Sequence, residues 1–304
     1  MTKDKKILLI IIFNLIIVIS EIVFGLISNS FALIADALHN AGDVISIVIT
    51  YIALKLTIQK TSFKHTFGYL KAEMMAAFVN TLFLYLTMIY LIIEATNKFF
   101  NPEVIQAEYM IWVGLIALIA NAISAYILHT MNVNSCPNHS HEHHHDDNIH
   151  SAYLHMFADA LISVGVVLAG IFIYYFKIYN VDSALTIIFS FYILHHSYPL
   201  LKKSFLSLLD FNLTDISKEK LDEIILVKNN DIFEYHDLHI YKPSSKYTFI
   251  SFHIVLTNYE LKLIDIESII DKIKKELRKE GFNNIQIEID SMKGAKNDIN
   301  WKIS

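Results

Sequence analysis

"FALIADALHNAGDVISIVITYIAL", residues Phe31 to Leu54, is the stretch on which the reading of the whole chain turns. It is as long and apolar as the roughly 20 helical residues that a bilayer core demands. Yet its first half carries Asp36, His39 and Asp43. A charged side chain at the centre of a spanning helix costs about 2.5–3.5 kcal/mol on insertion scales, so ionisable residues there point first to function. His39 and Asp43 are four residues apart, which puts both on one helical face, one turn apart. Asp36 falls on roughly the same face.

A second apolar stretch, "SAYLHMFADALISVGV" at 151–166, repeats the device with His155 and Asp159. Two copies of H-x-x-x-D in separate apolar segments argue against accident. Polar glue between membrane helices is usually Ser, Thr or Asn, and matched His–Asp pairs would be a costly substitute. If the two segments face each other, two imidazole nitrogens and two carboxylate oxygens converge, a donor set that suits tetrahedral zinc. Imidazole titrates near pH 6.5, and a ligand must be deprotonated to bind metal. The same cage therefore takes either Zn²⁺ or protons, which is the chemistry of a cation/proton antiporter. Asp36 is a further ligand, a proton relay or a water-exposed helix end, with a supporting role preferred. Glu21 and Asn14, seven apart in the first apolar segment, either line the cavity or hydrogen-bond between helices.

The composition agrees with a membrane protein. Of 304 residues, 54% are hydrophobic and 18% charged, and the mean hydropathy is +0.42. The net charge of −5, with basic residues scattered or at helix ends, gives no sign of a nucleic-acid partner, and none is expected. A single cysteine, Cys136, excludes an internal disulfide. Six segments are expected to span: roughly 7–27, 32–56, 74–95, 109–130, 152–176 and 181–201. The first follows "MTKDKK" without an A-x-A-like cleavage site and reads as a retained span. Lys3, Lys5, Lys6, Lys60, Lys64, Lys71, Lys202 and Lys203 gather on one side, against Lys98 and Lys177 on the other, so both termini are expected in the cytosol.

After Asp210 the pattern changes. An amphipathic helix at 215–230, strands at 236–241 and 247–256, a second helix ended by Gly281 and a strand at 283–290 give the order αββαβ. The expected architecture is a six-helix transmembrane domain over 1–210 and a cytosolic, ferredoxin-like α+β domain over 211–304, its helices on one face of the sheet.

"NSFALIADALHNAGD" with Asn14 and Glu21, "HTFGYLKAE" in the second loop and "HMFAD" in the fifth span resemble the cation diffusion facilitators, and within them the zinc-transporting branch. The resemblance covers nearly the whole chain. It implies a homodimer that exports cytosolic Zn²⁺ in exchange for protons by alternating access, with His39, Asp43, His155 and Asp159 as the transport site. Export in particular comes from the resemblance. It further suggests metal binding in the tail by His236, His253 and Asp290, with Glu288 where some relatives have histidine, and His239 as another candidate. Zinc there would be structural or regulatory. The loop site of some family members needs two histidines; here His65 fits the first position and Tyr69 stands at the second. The expected location is a bacterial plasma (inner) membrane.

"CPNHSHEHHHDDNIH", 136–150, gathers His139, His141, His143, His144, His145 and His150 in one polar loop. Such tracts bind metal weakly and without fixed structure, and this one is expected on the cytosolic side. Its H-E-x-x-H match at 141–145 lacks the helical context of a zinc protease and is what a histidine tract produces by chance. No enzymatic activity is expected. His129, His195 and His196 read as helix-end residues. The alternatives to zinc export are transport of other divalent cations (Cd, Co, Mn or Fe) and a membrane-bound zinc sensor, in which nothing crosses.

Overall fold

The computed structural model describes residues 3–57, 62–133, 143–258 and 260–290, with side chains described from residue 15 onward except at 46–47, 50–51, 53–55, 57, 124–125, 127–133 and 143–156. The N-terminal two thirds are helical: α1 Lys3–Ser28, α2 Phe31–Thr57, α3 Ala72–Phe100, α4 Ala107–Val133, α5 His143–Phe176 and α6 Asn180–Leu208. Each coincides with an expected apolar segment and overruns it. The largest overrun is at α5, which starts at His143, inside the expected loop. No proline or glycine lies between Pro137 and Gly165 to break a helix there. Among the described residues, α3, α6 and the Phe157–Phe176 part of α5 are long and apolar enough to cross a membrane by themselves.

The chain parts into two compact units. The first comprises Met1–Val48 and Val79–Pro199. Its core joins Ala32 and Leu33 of α2 to Met110 and Val113 of α4, Val166 and Ile173 of α5, and Phe189 of α6. Close approach between α4 and α5 depends on glycine. A Cβ on Gly170 would lie 2.8 Å from Ile111 Cγ1, and one on Gly114 would lie 2.9 Å from Val167 Cγ2. Without a hydrophobic drive between helices in lipid, such backbone proximity is how they gain dispersion energy. Outward-facing apolar side chains such as Ile16, Ile19, Phe83, Trp112 and Phe191 are exposed, as expected of a surface whose solvent is hydrocarbon.

The second unit comprises Ile49–Phe78 and Leu200–Ser304. Ser217 caps α7, Lys218–Asp222, accepting from Lys220 N at 3.3 Å, and a π-helical turn, Glu223–Val227, prolongs it. Strands β1 (Ile232–Tyr241), β2 (Phe249–Leu256) and β3 (Asn284–Asp290) form a sheet in the order β1-β2-β3. The β1–β2 pair is antiparallel and the β2–β3 pair parallel. The parallel pair needs a crossover, supplied by α8, Leu263–Lys279, after which Gly281 takes φ +93°, a conformation glycine adopts without strain. Ile250, Phe252, Ile254 and Leu256 of β2 pack with Leu221, Ile224 and Ile225 of the first helix and Ile269, Ile273 and Leu277 of α8. Side chains alternate across a strand, so both helices cover one face, and His253 belongs to the other. The αββαβ reading holds, with β1 beginning four residues earlier than expected.

Candidate metal centres

In the first unit, α2 and α5 bring His39 and Asp159 together. His39 Nε2 lies 3.7 Å from Asp159 Oδ1 and 3.7 Å from Asp43 Oδ2. His39 and Asp159 are buried, whereas the Asp43 side chain is 40% exposed. Thus one imidazole nitrogen stands between two carboxylates from different helices, at the separation of groups that share an ion rather than a direct hydrogen bond. Asn80 of α3 donates to Gly42 O at 3.1 Å, one residue before Asp43. Ser163 Oγ donates to Asp159 O at 3.0 Å. His155 lies in α5 one turn before Asp159; its side chain is outside the described residues, as is that of Asn14.

Glu21 and Asp36 form a second buried layer beside this group. The Asn40 amide donates to Glu21 Oε2 at 3.2 Å and to Asp36 Oδ1 at 3.4 Å, tying α1 to α2. Glu21 is fully buried and Asp36 is 1% exposed, which leaves no room for the water-exposed helix end considered for Asp36. Asn40 escaped the sequence reading. Its position next to His39 was the available signal, but a lone asparagine reads equally well as glue.

The second unit builds another cluster on the uncovered face of its sheet. His236 of β1 sits directly across from His253 of β2, and His253 pairs in turn with Glu288 of β3. Asp290 Oδ2 lies 3.1 Å from His236 Nε2 and 3.2 Å from His253 Nδ1. Ligand atoms of these three residues all lie within 4.8 Å of one another, the only such group among the described residues. Two imidazoles and a carboxylate match the donor preference of zinc. Hydrogen bonding from His253, chiefly, holds the Asp290 carboxyl below its ordinary range, overcoming the opposing effect of burial with further help from His236. Glu288 Oε2 and Asp237 Oδ2 each stand 3.6 Å from His253 Nε2. Asp237 is an unexpected member. A register irregularity after His236 and its φ of 51° turn it from the regular alternation, so strand periodicity did not reveal it.

The other expected candidates separate from these clusters. His239 pairs with Ser251 and lies 3.0 Å from Asp237, half-exposed on a cavity of about 480 Å³ with Asp210 and Asn212. His65 stacks on Tyr69, ring centroids 5.3 Å apart, with Ser62 Oγ 3.4 Å from its Nδ1. His139 and His141 lie outside the described residues. His143, His144, His145 and His150 fall in the first turns of α5, their side chains outside the description. His196 stacks on Tyr192.

Comparison with known proteins agrees with both halves of the chain. Residues 7–209 match the cation efflux transmembrane domain, and residues 213–291 match the cation efflux protein cytoplasmic domain. The chain is 32% identical over 290 residues to the cadmium, cobalt and zinc/H(+)-K(+) antiporter of Bacillus velezensis, covering 95% of this chain and 89% of that one. It is 31% identical over 244 residues to the zinc transporter ZitB of Pectobacterium atrosepticum, covering 80% and 73%. It is 31% identical over 237 residues to the metal cation efflux system protein CzcD of Cupriavidus metallidurans, covering 78% and 71%. With a buried His–Asp meeting between two apolar helices and both domain models matched in order, this chain belongs to the cation efflux family, the cation diffusion facilitators.

Proposed function

We propose that this protein exports Zn²⁺ from the cytosol in exchange for protons. The observation that carries this reading is His39 standing 3.7 Å from both Asp43 and Asp159, joining α2 to α5 in a mostly buried setting. The transport set is His39, Asp43, His155 and Asp159, supported by Asp36, Glu21 and Asn14. Six spans over 1–210 hold it near the bilayer midplane, where carriers expose a site alternately to each side. Both termini and the 211–304 domain are cytosolic, in a bacterial plasma membrane. Zinc occupies the set when its ligands are deprotonated, and protons entering from outside displace it. The half-exposure of Asp43 supplies the opening for exchange.

Two chains assemble through the cytoplasmic domain, in keeping with the family. His236, His253 and Asp290, with Glu288 and Asp237 beside them, hold a regulatory or structural zinc there. The relatives' names favour Cd²⁺ and Co²⁺ as further substrates. The test is zinc flux in proteoliposomes carrying an internal zinc dye. An inside-acid gradient across inward-loading vesicles should drive uptake that collapses with a protonophore. Zinc binding without uptake would make the protein a sensor and end the proposal.

A further inference from the structure

The turn between α1 and α2 is held from three directions. Lys98, buried near the end of α3, donates to Asn29 O and Asn29 Oδ1, both at 2.7 Å, and lies 4.1 Å above the Phe31 ring. Asn29 takes φ 60°, which asparagine tolerates better than most residues. Gln106 N donates to Ser28 O at 3.0 Å. The strongest tie comes from Asp182, fully buried in the first turn of α6. Ser30 Oγ donates to Asp182 Oδ1 at 2.5 Å, Phe31 N to Oδ2 at 2.9 Å and Ala32 N to Oδ1 at 3.4 Å.

A helix N-terminus is ordinarily satisfied by its own cap residue. Ser30 already does this for α2, accepting from Leu33 N at 3.2 Å. Asp182 adds a carboxylate from another helix, at the cost of burying a charge, which three donors and the positive end of the α2 dipole offset. The consequence reaches further than the cap. At a rise of 1.5 Å per residue, Phe31 lies about 12 Å from His39 along one rigid helix. Fixing the first N–H groups of α2 therefore fixes the depth and rotation of His39 and, one turn later, of Asp43. Asn40 provides a second tie, to α1, but Asp182 is the one that references α2 to α6.

We propose that Asp182 is a positioning residue for ion recognition: by clamping the start of α2 it sets the height and angle at which His39 and Asp43 meet Asp159, and so sets zinc affinity and the choice between Zn²⁺ and Cd²⁺. This rests on the transport reading above. Asp182→Asn keeps the shape but turns an amide donor toward Phe31 N or Ser30. Asp182→Ala removes the clamp. Ser30→Ala removes one of its three donors.

The experiment measures KM for zinc and the Zn²⁺/Cd²⁺ transport ratio in proteoliposomes for wild type and these variants. Neither quantity depends on the fraction of molecules that are folded, whereas a merely structural loss lowers Vmax alone. Asp182→Asn and Asp182→Ala should raise KM about tenfold, the equivalent of 1.4 kcal/mol, and shift the ratio. Ser30→Ala should move both quantities less, in the same direction. If Asp182→Ala fails to insert, the other two variants carry the test. Unaltered KM and ratio in the variants that insert would overturn the positioning role while leaving the transport reading intact. Absence of zinc flux in the wild type would remove both.

Discussion

His39 and Asp159 come from helices 120 positions apart in sequence and approach no closer than ion-pair range, whereas His236, His253 and Asp290 sit on three hydrogen-bonded strands and touch at 3.1 and 3.2 Å. The difference lies in what holds each group in place. Strand register fixes the backbone of the sheet cluster: His236 faces His253, His253 faces Glu288, and Asp290 follows two residues on in the same strand. The α2–α5 meeting depends on the depth and rotation of two helices, set by the core they share and, on the α2 side, by the bonds of Asn40, Asn80 and Asp182. A site that must load on one side and empty on the other needs the second kind of support. A resident ion is served by the first.

The sharpest way to break the contrast is to remove a carboxylate from the helical set. Asp159→Ala and Asp43→Ala should each abolish zinc flux while leaving the protein inserted, checked by membrane fractionation beside the transport assay. Normal transport by either variant would take that residue out of the set. A smaller effect is expected from the sheet cluster. His253→Ala should remove one tightly bound zinc per chain, read by metal analysis of purified protein, and lower flux only in part. If it abolishes flux as completely as Asp159→Ala, the two clusters do not divide the work as described.

Substitution within the helical set should change selectivity more than rate. His39→Asp replaces the nitrogen that stands between two carboxylates with oxygen, leaving His155 as the only imidazole of the set, and should widen transport toward Cd²⁺. An unchanged Zn²⁺/Cd²⁺ ratio would count against His39 as the discriminating ligand. The smallest effect is on acid stability. Asp290 is held ionised below its usual range by His253 and then His236. Its stabilising contribution is thus present above the unfolded carboxylate value of about 4 and lost as pH falls through the depressed folded value. Metal-free Asp290→Asn should therefore show a flatter acid limb in a thermal unfolding series below about pH 4. A limb as steep as wild type would show that the histidine contacts add nothing.

Much of this was legible in the chain itself, because the signals were periodic. Spacing of four placed His39 with Asp43 on a single helix face, and alternation gave β2 and its exposed-face His253. What escaped has a common cause. Asp182 acts through the backbone of α2, some 150 residues away, and no local pattern announces a cap supplied by a distant helix. Asp237 joins its cluster because of an irregularity in β1, and irregularities are invisible to a period-two reading. The start of α5 was missed because a histidine tract reads as solvated loop on composition, although the backbone runs helical through it from His143.

One ion held between α2 and α5 can be observed by its own scattering. Zinc K-edge absorption on the His253→Ala protein, whose sheet cluster is disabled, reads that shell directly. One zinc per chain is expected, with four nitrogen or oxygen neighbours at about 2.0 Å and clear imidazole scattering, lost in His253→Ala combined with Asp159→Ala. Zinc that persists unchanged in the double variant, or a shell without imidazole, would contradict it.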